Sequence, residues 1–430
     1  KIELNASQTS DVLTFGGGAN ILNVSNLLVT KGVLNLEGDL KSDVAVTNEG
    51  TLKVSKDQAM GVLTSSGTVE ILSGKTLTLA NTSTITGTIT GAGDILVDGT
   101  LTYGAATTTG WTGVLRTTSG SITAPAANLT GTTSIGLGKT VTIDAAGSVS
   151  GVINGPGAVL ITGGAVEYTG SFGYTGGTSI TSGSLKVSVE DKLPRNGVIT
   201  IGAGTTLDID ASQRIFSVAN SGTVDIASGA TLTQISGSDS SVVGTLSGAG
   251  SYRINDTTNS SAVTWGATLT GFSGNVDIDG AKSVTVADPS LLTTGTFTVG
   301  DSRALTLAPT VAKVLGASTL VTTGTGKVVI GGSAALTIAG TSNLAGVEHV
   351  EVTGEMVLGA AKTLKSVTSS GTLTLGSYTL TLTGDSTLTG TVSGTISTSG
   401  NLVASGTSLN SGSFTGTGSV EFNNVSLVGT

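Results

Sequence analysis

The chain has 430 residues, with 66 glycines, 5 prolines and no cysteine, and only 11% of its residues are charged. Its formal net charge of −9, with 19 scattered lysines and arginines, argues against nucleic acid as a partner, because phosphates require basic patches. The absence of cysteine excludes a disulfide framework and thiol chemistry. No apolar run reaches the ~20 residues that span a membrane as a helix.

The first part of the chain alternates apolar and polar residues, as in Val33–Leu36 and Thr51–Val54, without a clear repeat. We therefore expect residues 1–60 to form irregular terminal turns or a cap, with Lys1–Asp43 as a cap or an assembly contact. The first four residues lack the features of a signal peptide, so we expect the numbering to begin inside a longer precursor or after processing.

A thirteen-residue phrase recurs from residue 67 onward. It consists of a glycine, a short alternating strand, a turn and a second alternating strand. Copies are GTVEILSGKTLTL (67–79), GTTSIGLGKTVTI (131–143), GVITIGAGTTLDI (197–209), GTVDIASGATLTQ (222–234), GNVDIDGAKSVTV (274–286), GTFTVGDSRALTL (295–307) and GKVVIGGSAALTI (326–338), with looser ones at 354–366 and 371–382. Repeats of this size predict stacked units that bury their apolar faces against each other.

Alternation within the phrase predicts which side chains enter the core. The expected inward residues occupy one position of the second strand: Leu77, Val141, Leu207, Leu232, Val284, Leu305 and Leu336.

A second marker is a Gly-x-Gly step after a short strand, as at residues 91–93, 155–157 and 248–250. An aromatic residue followed by Ser or Thr and Gly arrives 19 to 24 residues later, at Trp111, Tyr174 and Phe272. An exposed row of such aromatics would suit sugar stacking. Their repeated position instead favours corner residues that pack over the neighbouring turn.

Residues 167–187, EYTGSFGYTGGTSITSGSLKV, resemble the passenger-associated repeat of bacterial autotransporters. The continuation through Leu193-Pro194 and residues 197–210 is similar as well. The resemblance covers roughly 45 residues and implies a right-handed parallel β-helix exported to the cell surface. It implies no ligand or activity, because the motif is a structural repeat.

The one histidine, His349, lies between Glu348 and Glu351 and is a candidate general base. Strict alternation places Glu348 with Val350 on one face, and His349 with Val347 and Glu351 on the other. We expect a partly exposed strand histidine, because no nucleophile or metal-ligand set accompanies it.

The pairs Asp208/Asp210 and Asp277/Asp279 place two carboxylates on one strand face. Such pairs begin a calcium site or the acidic cleft of a polysaccharide-cleaving β-helix, but an isolated pair at a solvated strand end is the expectation. The polar residues 255, 256 and 259 are interpreted in the same way. The Gly-x-Gly steps are predicted to be tight turns, because a phosphate cradle needs a following helix.

The sequence predicts an all-β protein, a right-handed parallel β-helix of roughly twenty turns, with residues 61–430 as a continuous solenoid. The expected function is a non-enzymatic bacterial surface or extracellular fibre, adhesive and passenger-like. The first alternative is a self-assembling surface-layer, sheath or filament subunit, and the second, less favoured, is a glycan-cleaving enzyme. We predict no catalytic, cofactor or metal residues, no nucleic-acid partner and no membrane span. The expected partners are further copies of the chain, end to end, or a host-surface or glycan receptor.

Overall fold

The computed structural model describes residues 2–5, 8–16, 24–104, 110–235, 241–256, 263–280 and 283–428. It is an all-β protein of parallel stacked coils, a β-solenoid of about 20 turns, which confirms the predicted fold class. The chain divides into two compact units, unit 1 (Lys1–Asp208) and unit 2 (Ile209–Thr430).

The strands of unit 1 are short, mostly of three or four residues. They are β1 (Ile2–Asn5), β2 (Val12–Phe15), β3 (Asn26–Lys31), β4 (Val33–Leu36), β5 (Ala45–Asn48), β6 (Thr51–Val54), β7 (Gln58–Met60), β8 (Val62–Ser65), β9 (Thr68–Ile71), β10 (Thr76–Leu79), β11 (Ser83–Ile85), β12 (Thr88–Gly91), β13 (Asp94–Val97), β14 (Thr100–Tyr103), β15 (Val114–Thr117), β16 (Ser121–Ala124), β17 (Thr132–Ser134), β18 (Thr140–Ile143), β19 (Gly147–Val149), β20 (Val152–Gly155), β21 (Ala158–Ile161), β22 (Ala165–Tyr168), β23 (Ser171–Tyr174), β24 (Thr178–Ile180), β25 (Ser184–Val187), β26 (Val198–Ile201) and β27 (Thr206–Ile209).

Strands of successive turns stack in parallel, so each sheet in unit 1 runs along the stacking direction. One sheet has the order β1-β3-β5-β8-β11-β14-β16-β18-β21-β24-β26, and a second has the order β7-β10-β13-β15-β17-β20-β23. Shorter sheets are β2-β4-β6-β9-β12 and β19-β22-β25. A 3₁₀ turn at Ala126–Asn128 interrupts the strands once.

Unit 2 repeats this architecture. Its strands are β28 (Gln213–Ile215), β29 (Ser217–Asn220), β30 (Thr223–Ile226), β31 (Thr231–Gln234), β32 (Ser241–Val242), β33 (Thr245–Gly248), β34 (Ser251–Asp256), β35 (Val263–Trp265), β36 (Thr268–Phe272), β37 (Asn275–Gly280), β38 (Val284–Val286), β39 (Thr296–Val299), β40 (Ala304–Leu307), β41 (Lys313–Val314), β42 (Thr319–Thr322), β43 (Lys327–Ile330), β44 (Ala335–Ile338), β45 (Asn343–Gly346), β46 (His349–Val352), β47 (Glu355–Leu358), β48 (Lys362–Leu364), β49 (Ser366–Ser369), β50 (Thr372–Leu382), β51 (Ser386–Leu388), β52 (Thr391–Thr398), β53 (Leu402–Ser405), β54 (Ser408–Gly416), β55 (Val420–Asn423) and β56 (Ser426–Val428).

The sheets of unit 2 also run along the stacking direction. Their orders are β28-β31-β34-β37-β39-β42-β45, β32-β35-β38-β40-β43-β46-β49-β51-β53-β55, β41-β44-β47-β50-β52-β54-β56 and β30-β33-β36, and β48 also pairs with β50. A 3₁₀ turn occurs at Pro289–Leu291, where the Asp288 side chain accepts a hydrogen bond from the backbone N–H of Ser290. The alternating residues 420–422 and 425–427 predict the start of another turn, and this turn is present as β55 and β56. Thr430, which we expect to adjoin further β-structure, lies outside the described residues.

The core of each unit consists mostly of aliphatic side chains stacked from turn to turn, with some buried aromatic and polar residues among them. Alternation is visible in strands such as β10 and β40, where every second residue is buried. All seven residues predicted to point inward are fully buried, which confirms the register inferred from the phrase: Leu77, Val141, Leu207, Leu232, Val284, Leu305 and Leu336. The cap role predicted for residues 1–60 stays a prediction.

The glycine that opens the first copy of the phrase, Gly67, is required because successive turns approach each other closely there. A Cβ atom on Gly67 would lie 2.1 Å from the carbonyl oxygen of Gly50, one turn earlier. A Cβ on Gly87 would lie 1.9 Å from the carbonyl oxygen of Gly67. No side chain fits at such distances, so the corner is a column of glycines that allows the strands on either side to keep their hydrogen bonds.

Candidate functional site

His349 is half-buried at the start of β46, on the outer surface of unit 2. Its Nδ1 lies 2.8 Å from the hydroxyl of Ser366, one turn later. Burial, followed by the positive charge of Lys327, lowers the pKa of His349, while Glu351 opposes that shift. Lys327 itself forms an ion pair with Glu351, with 2.5 Å between Nζ and Oε2.

The predicted alternation around His349 is wrong at its N-terminal end. His349 and Glu351 do share the outward face, but Glu348 is exposed rather than on the face of buried Val350, and Val347 is buried. The reason is that β46 begins only at His349, after a turn closed by the Val347 N–H and the Leu344 carbonyl. Glu348 pairs with Lys365 instead of flanking the imidazole.

The expected position at a solvated strand end fits only the second aspartate of each pair, because Asp208 and Asp277 are half-buried within their strands whereas Asp210 and Asp279 are exposed. Asp208 is half-buried, with its Oδ2 3.9 Å from the Lys186 Nζ, and Asp210 is exposed. Asp277 faces the Arg253 guanidinium at 3.4 Å, and the exposed Asp279 accepts a hydrogen bond from the backbone N–H of Gly280.

Asp277 and Asp279 line a groove of about 220 Å³ together with Arg253 and Asp301. The carboxylate of Asp301 accepts two hydrogen bonds of 2.7 Å from the backbone N–H and the hydroxyl of Thr325, which lower its pKa. These contacts already occupy the carboxylates, and no group of three or more His, Cys, Asp or Glu suited to a metal occurs among the described residues. In the predicted polar patch, Asn255 pairs in register with Asp279, and residue 259 lies outside the described residues.

The aromatic residues after the Gly-x-Gly steps are buried, which confirms that they pack at corners. Each pairs in register with the first glycine of the step one turn earlier: Gly91 with Trp111, Gly155 with Tyr174 and Gly248 with Phe272. The Trp111 indole N–H donates to the Gly93 carbonyl at 2.9 Å. Gly91 has φ +92°, so the step is a tight turn, and β13 rather than a helix follows it.

The segment that resembles the autotransporter repeat contains a buried hydroxyl network. The Tyr174 hydroxyl lies 3.2 Å from that of Tyr168 and 2.5 Å from that of Thr178, and the Phe172 ring stacks on Tyr168 at 3.9 Å. Burial raises the pKa of Tyr174 to about 12. This network is completely enclosed, so it holds a corner of the solenoid and is not accessible to a ligand.

One outward surface of unit 1 is a column of threonines that we call the threonine column. It lies on the sheet that contains β5, β8, β11, β14, β16 and β18, and each member pairs in register with the next. Its members are Thr47, Thr64, Thr84, Thr102, Thr123 and Thr142. Neighbouring strands lie ~4.8 Å apart, so the column presents a methyl and a hydroxyl at nearly that interval over six turns.

A groove of about 390 Å³ runs beside this column, and we call it the hydroxyl groove. Three successive turns line it, each with a short segment: residues 98–100, 119–121 and 138–140. Each segment ends in a hydroxyl residue, namely Thr100, Ser121 and Thr140, that begins the strand carrying the next member of the threonine column.

Sequence reasoning did not find the threonine column or the hydroxyl groove. Its signal is the short pattern Thr/Ser-x-Thr, present as residues 82–84, 100–102, 121–123 and 140–142. The pattern becomes a surface only when the turns stack, and the threonine column members are separated by 17 to 21 residues with no fixed period.

Comparison with known proteins adds no identity: no family model, no curated protein and no solved structure matches the chain. Within the part of the chain that the structure describes, there is no helix long and apolar enough to cross a membrane.

Proposed function

We propose that this chain is a non-enzymatic structural or adhesive component of a bacterial cell surface, with a passenger-like β-solenoid. The observation that carries the proposal is the threonine column, which offers one outward chemistry at the same register position over six turns. The bacterial surface is suggested by the resemblance of residues 167–187 to the passenger-associated repeat.

Repetition of a polar outward column suits adhesion more than catalysis. An enzyme needs an acid, a base or a nucleophile that converge on one reacting atom. A surface with identical groups at a regular spacing instead makes many weak contacts, and their sum is strong when the partner repeats as well. His349 and Asp277 are each engaged by neighbouring side chains rather than by each other.

Electron microscopy of cells that produce this chain, labelled with an antibody against it, tests the proposal. We expect label on the outer surface, scattered or in patches for an adhesive passenger. A regular lattice or sheath of label would favour the self-assembling subunit. Label confined to the cell interior would contradict both.

Point variants test the non-enzymatic part. We expect His349→Ala, Asp208→Asn and Asp277→Asn to leave surface display and adhesion of the producing cells within twofold of the parent. The parallel measurement is release of reducing ends or unsaturated sugars from surface polysaccharides. Cleavage that one of these substitutions abolishes would establish the enzyme instead.

A further inference from the structure

We propose that the hydroxyl groove binds a neutral polysaccharide, with the sugar chain lying across successive turns of unit 1. This inference rests on the proposed surface role, because it names the class of ligand that the surface would contact. The occupant is a chain rich in hydroxyl groups and without charge.

The hydroxyl groups of the groove repeat in register from turn to turn. Thr100 pairs in register with Ser121, and Thr140 holds the same place on the next strand, because Ile122 pairs with Val141. The three hydroxyls therefore repeat at about 4.8 Å, which is close to the length of one sugar residue in an extended chain. The groove volume of about 390 Å³ is within the range of small-molecule sites, roughly 300–1,000 Å³.

These three hydroxyls are available to form hydrogen bonds with a ligand. In the described part of the chain, the side-chain oxygens of Thr100, Ser121 and Thr140 make no hydrogen bond to protein, and all three residues are half-buried. Each hydroxyl is both a donor and an acceptor, as is each hydroxyl of a sugar. The strands hold the three residues rigidly, so binding orders little of the protein, and that lowers the entropic cost.

The floor of the groove is formed in part by the backbone of a glycine. Gly120 is buried there, and a Cβ on it would lie 1.6 Å from the carbonyl oxygen of Gly99. The space on that side of Gly120 is filled by the backbone of the previous turn, so Gly120 lines the groove with backbone and without a side chain. The strands that begin at the groove also carry Thr102, Thr123 and Thr142 of the threonine column.

The charges in and around the groove favour a neutral ligand. The groove has one carboxylate, Asp98, and one ammonium group, Lys139. The Asp98 carboxylate accepts hydrogen bonds from the hydroxyls of Thr118 and Ser119, the latter at 3.2 Å, and so it is held in place as an acceptor. The carboxylate and the ammonium group balance each other, and the chain has a net charge of −9, so no excess of cations favours a polyanion, whereas a neutral chain supplies hydroxyl donors to Asp98.

The experiment uses the full chain and soluble polysaccharides. Affinity electrophoresis and calorimetry are run with three neutral polymers, a β-1,3-glucan, dextran and a galactomannan, and with two acidic ones, polygalacturonate and alginate. We expect at least one neutral polymer to bind, and the acidic ones to bind at least tenfold more weakly or not at all.

Variants then locate the site. The triple variant Thr100→Val, Ser121→Ala, Thr140→Val removes the hydroxyls with little change in shape, and we expect affinity to fall at least tenfold. The matched control is Thr372→Val, Thr391→Val, Ser408→Ala, which removes the same three groups from an in-register column of unit 2. We expect the control to bind as the parent does. A second variant, Ser121→Leu, fills part of the groove from an outward strand position with a side chain that offers neither a hydrogen bond nor a flat ring to a sugar, and it should also abolish binding.

Binding that is lost in both groove variants and kept in the control supports the proposal. It is overturned if none of the three neutral polymers binds, if an acidic polymer binds best, or if the Ser121→Leu variant, folded by circular dichroism, binds like the parent. Surface labelling of cells that carry the groove variants is expected to stay normal. Failure of the groove is thereby distinguished from failure of the surface role.

Discussion

The threonine column of unit 1 and an outward column of unit 2 have the same backbone and different surfaces. The unit 2 column, which we call the mixed column, lies on the sheet containing β35, β38, β40, β43, β46, β49 and β51. Its members pair in register from turn to turn: Thr264, Thr285, Thr306, Val329, Glu351, Thr368 and Thr387. Val329 and Glu351 interrupt its threonines, and Glu351 is held by Lys327.

The two columns show that the backbone of the solenoid sets the position of an outward side chain but not the type of residue found there. Beneath both columns the inward positions are buried and mostly aliphatic, as at Val141 and Val350, although Asn48 in unit 1 and Ser369 in unit 2 are buried polar residues. Because the core and the backbone ladder supply the stability, outward residues can differ from turn to turn at small energetic cost. Function in such a fold depends on which outward residues are aligned.

The largest loss of stability is expected from a charged side chain at an inward position beneath the threonine column. Val141 lies between Thr140 and Thr142, is fully buried and pairs with Ile122 and Val159. We expect Val141→Asp to lower the free energy of unfolding by about 3 to 4 kcal/mol, because the carboxylate has no partner among aliphatic neighbours. Urea unfolding followed by circular dichroism measures the change.

The matched outward variant is Thr142→Asp. Its side chain points to solvent, so we expect a loss within about 1 kcal/mol. Equal losses for the two variants would contradict the inward and outward assignment of this strand.

The glycine corners of unit 1 and unit 2 should lose similar amounts of stability when the glycine is replaced. A Cβ on Gly113 would lie 1.8 Å from the Gly93 carbonyl oxygen, and one on Gly274 would lie 1.7 Å from that of Gly250. We expect either glycine, changed to alanine, to cost about 1 to 3 kcal/mol, because the backbone of the neighbouring turn must move. Thermal and urea unfolding of each variant give the value.

Gly173 is the control for the corner glycines. It lies within β23, it has no atom within 4 Å of an added Cβ, and its φ is not in the left-handed region. Gly173→Ala should change stability by less than about 1 kcal/mol, since only the entropy of the unfolded chain is reduced. A loss at Gly173 as large as at Gly113 would mean that the close approach of turns does not set the cost.

The smallest expected effect is on the pKa of His349, which lies beside the charged residues of the mixed column. We expect Lys327→Met to raise the pKa of His349 towards its ordinary value, because it removes the second cause of the lowered pKa. With a lowered folded pKa, the contribution of His349 to stability is present above about pH 6.5 and is lost as the pH falls through the folded value. The single histidine allows the titration to be followed by NMR without assignment, and an unchanged midpoint in Lys327→Met would contradict the coupling. Lys313→Met is the control, since Lys313 pairs with Asp288 elsewhere in unit 2.

Much of the fold was predictable, and most of the candidate site was not. The phrase gave both strands and the inward residues such as Leu77 and Leu336, because alternation and burial are local consequences of strand geometry. The corner aromatics were also predictable, since Trp111 and Tyr174 recur after a glycine step. The alternation near His349 failed because a turn, which has no sequence period, sets where the strand begins.

Sequence alone was enough to predict a β-solenoid, most of the positions that face the core and the tight turns at the Gly-x-Gly steps, because these follow from local strand and turn geometry. Only the tertiary structure decided which outward residues become neighbours. Residues 47 and 64 are 17 apart and residues 102 and 123 are 21 apart, yet both pairs lie in register. Turns of unequal length can be aligned only by the hydrogen bonds and core contacts of the stacked strands, and those contacts join segments that are distant along the chain. The threonine column and the hydroxyl groove are therefore properties of the stack rather than of any one phrase.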